Sequence, residues 1–385
     1  MATLRRMLAR DPLQAHRAST PLELFFDLVF VVAISLASSQ LHHFESENHV
    51  GAGVGSYLMV FFAIWWAWLN FTWFASAFDT DDWLYRLTTF IQLGGALVLA
   101  AGTVPAMTQH DFSIVILGYV IMRIALVSQW LRVSFSDPEY RQVGLRYGAG
   151  ITVVQLGWIA FYWVPDAFQI PSFLLLVVCD VLVPVIAERR QVTKWHPEHI
   201  SERYGLFTLI VLGETILAST NAVVEAIAET EHLGQLVLLS ATGLVIVCAI
   251  WWVYFTVPQA DALGATRFPL LWGYSHYFIY ASAAALSAGL EVAIDIQTEH
   301  TDLASVQAAA TTTIPVAVLV FSVWLVLIRR SATTTMNVVF PMLAATIALS
   351  AFLPYSLQVT AALTVLAACC TSVVARSCAP SPQPL

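Results

Sequence analysis

Residues 20–34, TPLELFFDLVFVVAI, place Glu23 and Asp27 at the start of an apolar segment long enough to cross a bilayer. Thr20 with Glu23 three residues on reads as a capping box, and Pro21 fits a first helical position whose N–H needs no partner, so a helix starts here. Glu23 then has a structural task. Asp27 lies one turn further in, beyond the reach of a cap, and a charged Asp near mid-membrane costs roughly 2.5–3.5 kcal/mol on insertion scales. Its side chain is expected to face protein or water and to serve either a functional site or a structural ion pair.

The rest of the chain has the same character. Hydrophobic residues make up 58% of it, charged residues 11%, and mean hydropathy is +0.74, which describes a polytopic all-α membrane protein. Apolar runs of about 20 residues predict twelve spans: 21–43, 50–76, 84–106, 112–132, 146–164, 168–188, 201–226, 233–257, 268–292, 303–328, 332–353 and 355–376. Of the 17 Lys and Arg residues, all but Arg123 fall on alternate connections or flanks, from Arg5, Arg6, Arg10 and Arg17 before the first span to Arg376 after the last. The positive-inside rule then puts both termini in the cytoplasm of a cell-membrane protein. His42, His43, Glu45 and Glu47, and the segment from Glu225 to Glu231, belong to the opposite side. A net charge of −8 speaks against nucleic acid as a partner. The basic leader 1–20 runs into a span with its own carboxylates, so no cleaved signal is expected, and the tail 377–385 reads as disordered. The five cysteines, Cys179, Cys248, Cys369, Cys370 and Cys378, suggest neither a disulfide nor a metal spacing, and no cofactor is read.

Residues 21–34, the run HPEHISERYGLFTLIVLGETIL from His196 with Trp195 before it, and the segments DTDDWLYRL, GYVIMR and WLRVSF together resemble the bacterial low-temperature-requirement A family. The resemblance spans nearly the whole chain up to its Pro/Ser-rich tail. It implies a polytopic membrane protein and names no chemistry, because the family takes its name from a growth phenotype.

Two halves, 21–190 and 191–376, overlay at a shift near 187 residues. Ala63-Ile64-Trp65-Trp66 recurs as Ala249-Ile250-Trp251-Trp252, Leu99-Ala100-Ala101-Gly102 as Leu286-Ser287-Ala288-Gly289, and Asp27 falls on Glu214. Two six-helix repeats of one orientation follow, related by an axis along the membrane normal, with Asp27 and Glu214 expected at their interface. Arg123 and Asp180 lie deep in their spans, so Arg123 is expected to pair with Asp180 or Asp27. The shift puts Ala367 where a second Asp180 would stand, which makes any site asymmetric.

Asp79-Thr80-Asp81-Asp82 opens the third span and is read first as a cap that favours the positive helix end. The spelling D-x-D-D is also that of class II terpenoid cyclases, in which Asp81 would be the proton donor, and 13 Trp, 12 Tyr and 22 Phe could shield a carbocation. His196 and His199 make an H-x-x-H too sparse for metal, with Pro197 and Glu198 serving the helix start. His276 sits inside a span, either packed and neutral or titrating. No phosphate-cradling glycine motif or nucleophile elbow occurs, which argues against ATP-driven transport. The residues therefore leave three readings: a transporter or channel-like protein for a small ion or solute using buried carboxylates, an intramembrane enzyme on an isoprenoid, and a non-catalytic sensor or assembly factor.

Overall fold

Pro21 begins the first helix, with Thr20 and Glu23 closing the capping box: the Thr20 amide donates to Glu23 Oε2 at 2.7 Å and the Glu23 amide to Thr20 Oγ1 at 3.3 Å. The computed structural model describes residues 4–14, 17–227, 233–264, 266, 268–301 and 303–378. Among them are the helices α1 (Pro21–Ser46), α2 (Val50–Phe78), α3 (Trp83–Gln109), α4 (Ser113–Ser136), α5 (Arg141–Phe161), α6 (Asp166–Glu188) and α7 (Pro197–Ile227). Then come α8 (Leu233–Phe255), the short α9 (Gln259–Gly264), α10 (Pro269–Gln297), α11 (Ser305–Val323), α12 (Thr334–Leu349) and α13 (Ser356–Cys378). A π-helical turn, Trp324–Ile328, continues α11, and a 3₁₀ turn, Ser350–Phe352, continues α12. No strand occurs among the described residues.

A helix falls on each interval expected for a span, and ten of these helices are long and apolar enough to cross a membrane. The chain is a multi-pass membrane protein. Helices α5 and α7 are not among the ten, although they run to 21 and 31 residues. Composition explains the first, since α5 carries Arg141, Arg146 and Gln155, while the ten are counted among the described residues and the part of α7 up to Leu217 holds Glu198, Glu202, Arg203 and Glu214. The acidic segment 228–231, Arg267 and the tail beyond Cys378 lie outside the described residues.

The chain forms two compact units, Met1–Ala37 with Leu58–Tyr204, and Ser38–Tyr57 with Gly205–Leu385. This division differs from one at residue 190. The His42 end of α1 and the start of α2 go to the second unit, and the first two turns of α7 go to the first.

In the first unit α2 supplies the core, with Phe61, Trp65, Trp66, Trp68, Phe71, Phe74 and Phe78 all buried. Phe74 and Phe78 meet Trp130 edge-on at 4.9 and 5.5 Å, and Trp130 lies flat on Tyr147 at 3.9 Å, which ties α2, α4 and α5 together. Lipid tails are as apolar as these rings, so the gain is close packing rather than escape from water. Helices α3 and α4 cross backbone to backbone. A Cβ on Gly118 would stand 2.5 Å from the Leu99 amide nitrogen, so only glycine fits.

In the second unit α10 and α11 touch in the same way: a Cβ on Gly289 would lie 2.3 Å from the Thr311 carbonyl oxygen. Pro315 follows four residues later and has no N–H to give that carbonyl. The repeated tryptophan pairs differ in setting. Trp65 and Trp66 are buried, whereas Trp251 and Trp252 are 45% and 51% exposed on α8.

The glycine contact generates a test. Gly118→Leu should lose most of its monodisperse peak in size-exclusion chromatography, because overpacking a backbone crossing costs roughly 1–3 kcal/mol or more. Gly94→Leu, where nothing lies within 4 Å, should elute as wild type.

Candidate functional site: a buried charge network

Four ionisable side chains in the first unit come from two helices at matched spacing. Helix α1 presents Glu23 and Asp27, one turn apart, and α7 presents His199 and Arg203, also one turn apart. All four are fully buried. Asp27 accepts from Arg203 Nε at 2.8 Å and also from Arg203 Nη2, a two-pronged pairing that suits the planar guanidinium. Trp68 Nε1 donates to Asp27 Oδ1 at 2.7 Å, and the Phe71 ring lies 5.7 Å from the guanidinium carbon. Glu23 does more than close its capping box. Its Oε1 lies 3.2 Å from His199 Nε2, 3.4 Å from Arg203 Nη1 and 3.8 Å from Arg17 Nη2.

Arg17 also donates to the Ala75 carbonyl at 2.7 Å, which accepts from the Asp79 amide as well, and to the carbonyl of Ser76, both in the last turn of α2. Burial lowers its pKa to about 10, with Glu23 opposing the shift, so the side chain is charged at neutral pH. The Tyr85 hydroxyl and His199 Nδ1 have no hydrogen-bond partner among the described residues. Tyr85 is within electrostatic reach of Asp79, Glu23, Arg203 and Arg17, so an unsatisfied hydroxyl borders the network.

Asp180 is the partner of Arg123, with Nη2 to Oδ1 at 3.4 Å, while Trp158 Nε1 donates to the other carboxylate oxygen at 2.7 Å. The Arg123 guanidinium stands 5.0 Å from the centre of the Tyr119 ring. A void of about 10 Å³ beside Arg123 and Gln92 is the size one water needs. Asp27 pairs with Arg203 instead. Reading Arg203 as one of the basic residues flanking a span was incorrect, because its side chain is wholly buried and engaged by α1. The i, i+4 pairing of His199 and Arg203 was the available signal.

The aspartates at 79–82 divide their tasks. Asp82 caps α3, accepting from the Tyr85 amide at 2.9 Å, the Arg5 amide at 3.0 Å and Arg132 Nη1 at 3.0 Å. Burial alone would raise its pKa, but these donors hold it down at about 2. Asp79 is buried. Its Oδ1 accepts from the Asp81 amide at 2.8 Å, and Arg10 stands 3.7 Å from Oδ2. Asp81, at φ 47°, is 49% exposed in its side chain and grips Arg86 through both oxygens at 2.8 Å. The dry pocket that a proton-donating Asp81 requires is absent at that side chain.

His196 and His199 turn to different partners: His196 Nε2 lies 2.9 Å from the Gln14 carbonyl, and His199 faces Glu23. In the second unit, His276 is buried with Nδ1 2.8 Å from the Trp272 carbonyl, as a neutral ring donating there would be. Glu214 is largely buried on α7 and belongs to the second unit, Asp27 to the first. His42, which the sequence places only on the side opposite the basic residues, bridges Glu291 at 3.1 Å and Asp295 at 2.7 Å. Partners some 250 positions away give no local signal.

Two tests follow. Arg203→Leu strands a buried carboxylate and should cost about 3–5 kcal/mol, read as a lower melting temperature in detergent, whereas Asp27→Leu/Arg203→Leu together should recover much of it. Asp79 supplies a pH test outside the spans. Burial, then Glu23, push its pKa up to about 6, against Arg17 and Arg10. Because the folded value exceeds the ordinary 3.8, its stabilising contribution is complete below about pH 4 and is lost as pH rises through about 6. The stability difference between wild type and Asp79→Asn should therefore fall across that window; a flat difference would contradict the assignment.

An uncharacterized protein of Rhizobium meliloti (strain 1021) is 27% identical over 265 residues, which take in 66% of this chain and 62% of that protein. The chain thus spans less than two thirds of the length of that curated relative. The family model described as bacterial low temperature requirement A protein (LtrA) matches residues 18–375, which include every residue of the buried network except Arg17, and the chain belongs to that family.

Proposed function

We propose that the chain is a cell-membrane transporter for a small ion or solute, with Glu23, Asp27, His199 and Arg203 as its proton-responsive centre. One observation carries the reading: two carboxylates, a guanidinium and an imidazole are gathered, fully buried, at the start of a membrane helix. Well-packed apolar residues would hold two helices together as firmly or more so, because desolvating charges offsets most of their attraction. Ionisable groups inside membrane segments typically belong to ion paths and proton relays. His199 adds a group whose ordinary pKa lies near neutrality, in contact with Glu23.

The arrangement that goes with this reading has twelve spans in two parallel six-helix repeats, with both termini cytoplasmic and Glu214 as the counterpart of Asp27. Its support is the basic residues on alternate connections, together with Gly102 and Gly289. These stand 187 positions apart, each where an added Cβ would collide with the backbone of the following helix. Cysteine labelling should find positions 47 and 299 outside and positions 141 and 194 inside; the reverse, or a mixture, would overturn the orientation.

For function, the full chain is reconstituted into vesicles holding a pH-sensitive dye, and proton uptake is screened against a panel of ions and small neutral solutes. Wild type should show uptake that depends on one class of solute and on pH. Asp27→Asn should abolish it in protein that still elutes as a single species, and His199→Gln should shift the pH profile. Wild-type flux in Asp27→Asn combined with Glu214→Gln would remove this centre from the mechanism.

A further inference from the structure

A cavity of about 370 Å³ in the second unit opens where α10 ends and α8, α11 and α13 begin. It lies at the helix ends away from the basic connections. Its walls run down α11 from Ser305 to Thr313, about 12 Å of helix. Among the described residues, none of the fifteen that line it is charged. Gln235, Gln297 and Gln358 stand with Tyr355 around the mouth, Thr312 and Thr313 lie furthest along α11, and Leu239 is among the apolar walls.

A second observation marks the Thr313 end of this wall as incomplete. Thr313 is fully buried, yet its hydroxyl has no hydrogen-bond partner among the described residues. Two residues on, Pro315 sits inside the continuous helix without an N–H to donate, and the same helix later widens into the π turn at Trp324–Ile328. A proline inside a membrane helix leaves a backbone carbonyl without its helical donor, and π turns frequently accompany function.

We infer that this cavity binds a small uncharged polyhydroxylated solute, which deepens the transport reading by naming a substrate class and rests on it for its role in transport. Amides and hydroxyls offer donors and acceptors without a charge, so an ionic solute would enter at the cost of its own desolvation with nothing to repay it. An acyl chain is disfavoured for the opposite reason, since it would leave the Thr313 hydroxyl unsatisfied. A polyol matches both surfaces: its hydroxyl groups meet Gln297 and Thr313, and its C–H faces meet the apolar wall. Small-molecule sites commonly combine such a wall with a few fixed polar groups.

The test is binding to the detergent-purified full chain, measured by calorimetry with glucitol, glucose and maltose against glutamate and lysine. At least one neutral polyol should bind saturably, and the charged solutes should not. Thr313→Val, which keeps the shape and removes the hydroxyl, and Gln297→Leu should each weaken binding about tenfold, the value of one lost buried hydrogen bond. Leu239→Trp, which fills the cavity, should abolish it. The inference is overturned if no polyol binds, if glutamate or lysine binds as well, if copurifying lipid occupies the cavity, or if both polar variants bind as wild type. Asp27→Asn separates this from the transport reading: it should retain binding while losing uptake. Binding without uptake in wild type would sink transport alone, and proton-coupled uptake of some other solute without polyol binding would sink the polyol site alone.

Discussion

Arg203 and Asp27 are each wholly shielded from solvent, and neither could be so without the other. The guanidinium satisfies both carboxylate oxygens, Trp68 adds a third donor, and Glu23 takes the remaining face of Arg203. This fixes more than one contact. Because the carboxylates lie one turn apart on α1 and the imidazole and guanidinium one turn apart on α7, the two helices are held in one register in the first unit. A slip of one residue on either helix would turn both pairs away and leave charges facing apolar neighbours.

Around that constraint the packing follows two rules suited to a lipid solvent. Where helices must come closest, glycine faces backbone: Gly118 against Leu99 in the first unit, Gly289 against Thr311 in the second. Where space has to be filled, aromatic side chains do so, most densely along α2 from Phe61 to Phe78. Polar groups inside this packing are mostly answered by specific donors. Trp68 serves Asp27 and Trp158 serves Asp180, so these indoles are hydrogen-bond donors as much as bulk.

The helical architecture was legible because hydropathy and length act locally. A run of apolar residues must become a helix in lipid, since no other single segment satisfies its own backbone. The capping box at Thr20 and Glu23, and the Arg123–Asp180 pairing, were also within reach, the first from spacing and the second from two deep charges in need of compensation. The shortfall lay at Arg203 and His42. Each looked like a flanking or surface residue, and each acquires its importance from partners on a distant segment.

The sequence by itself determined that this is a helical membrane protein, roughly where its long helices lie, and that Asp27 could not be left facing lipid. Those properties follow from transfer energies and backbone hydrogen bonding, which each segment carries within itself. The tertiary structure alone decided which cation meets Asp27, that Glu23 belongs to the network as well as to its cap, that Asp81 is spent on Arg86, and that a cavity opens beside α11. Such pairings depend on which helix faces are brought together, and apolar faces that pack equally well in several ways record that choice only at the few charged positions where a wrong neighbour would be costly.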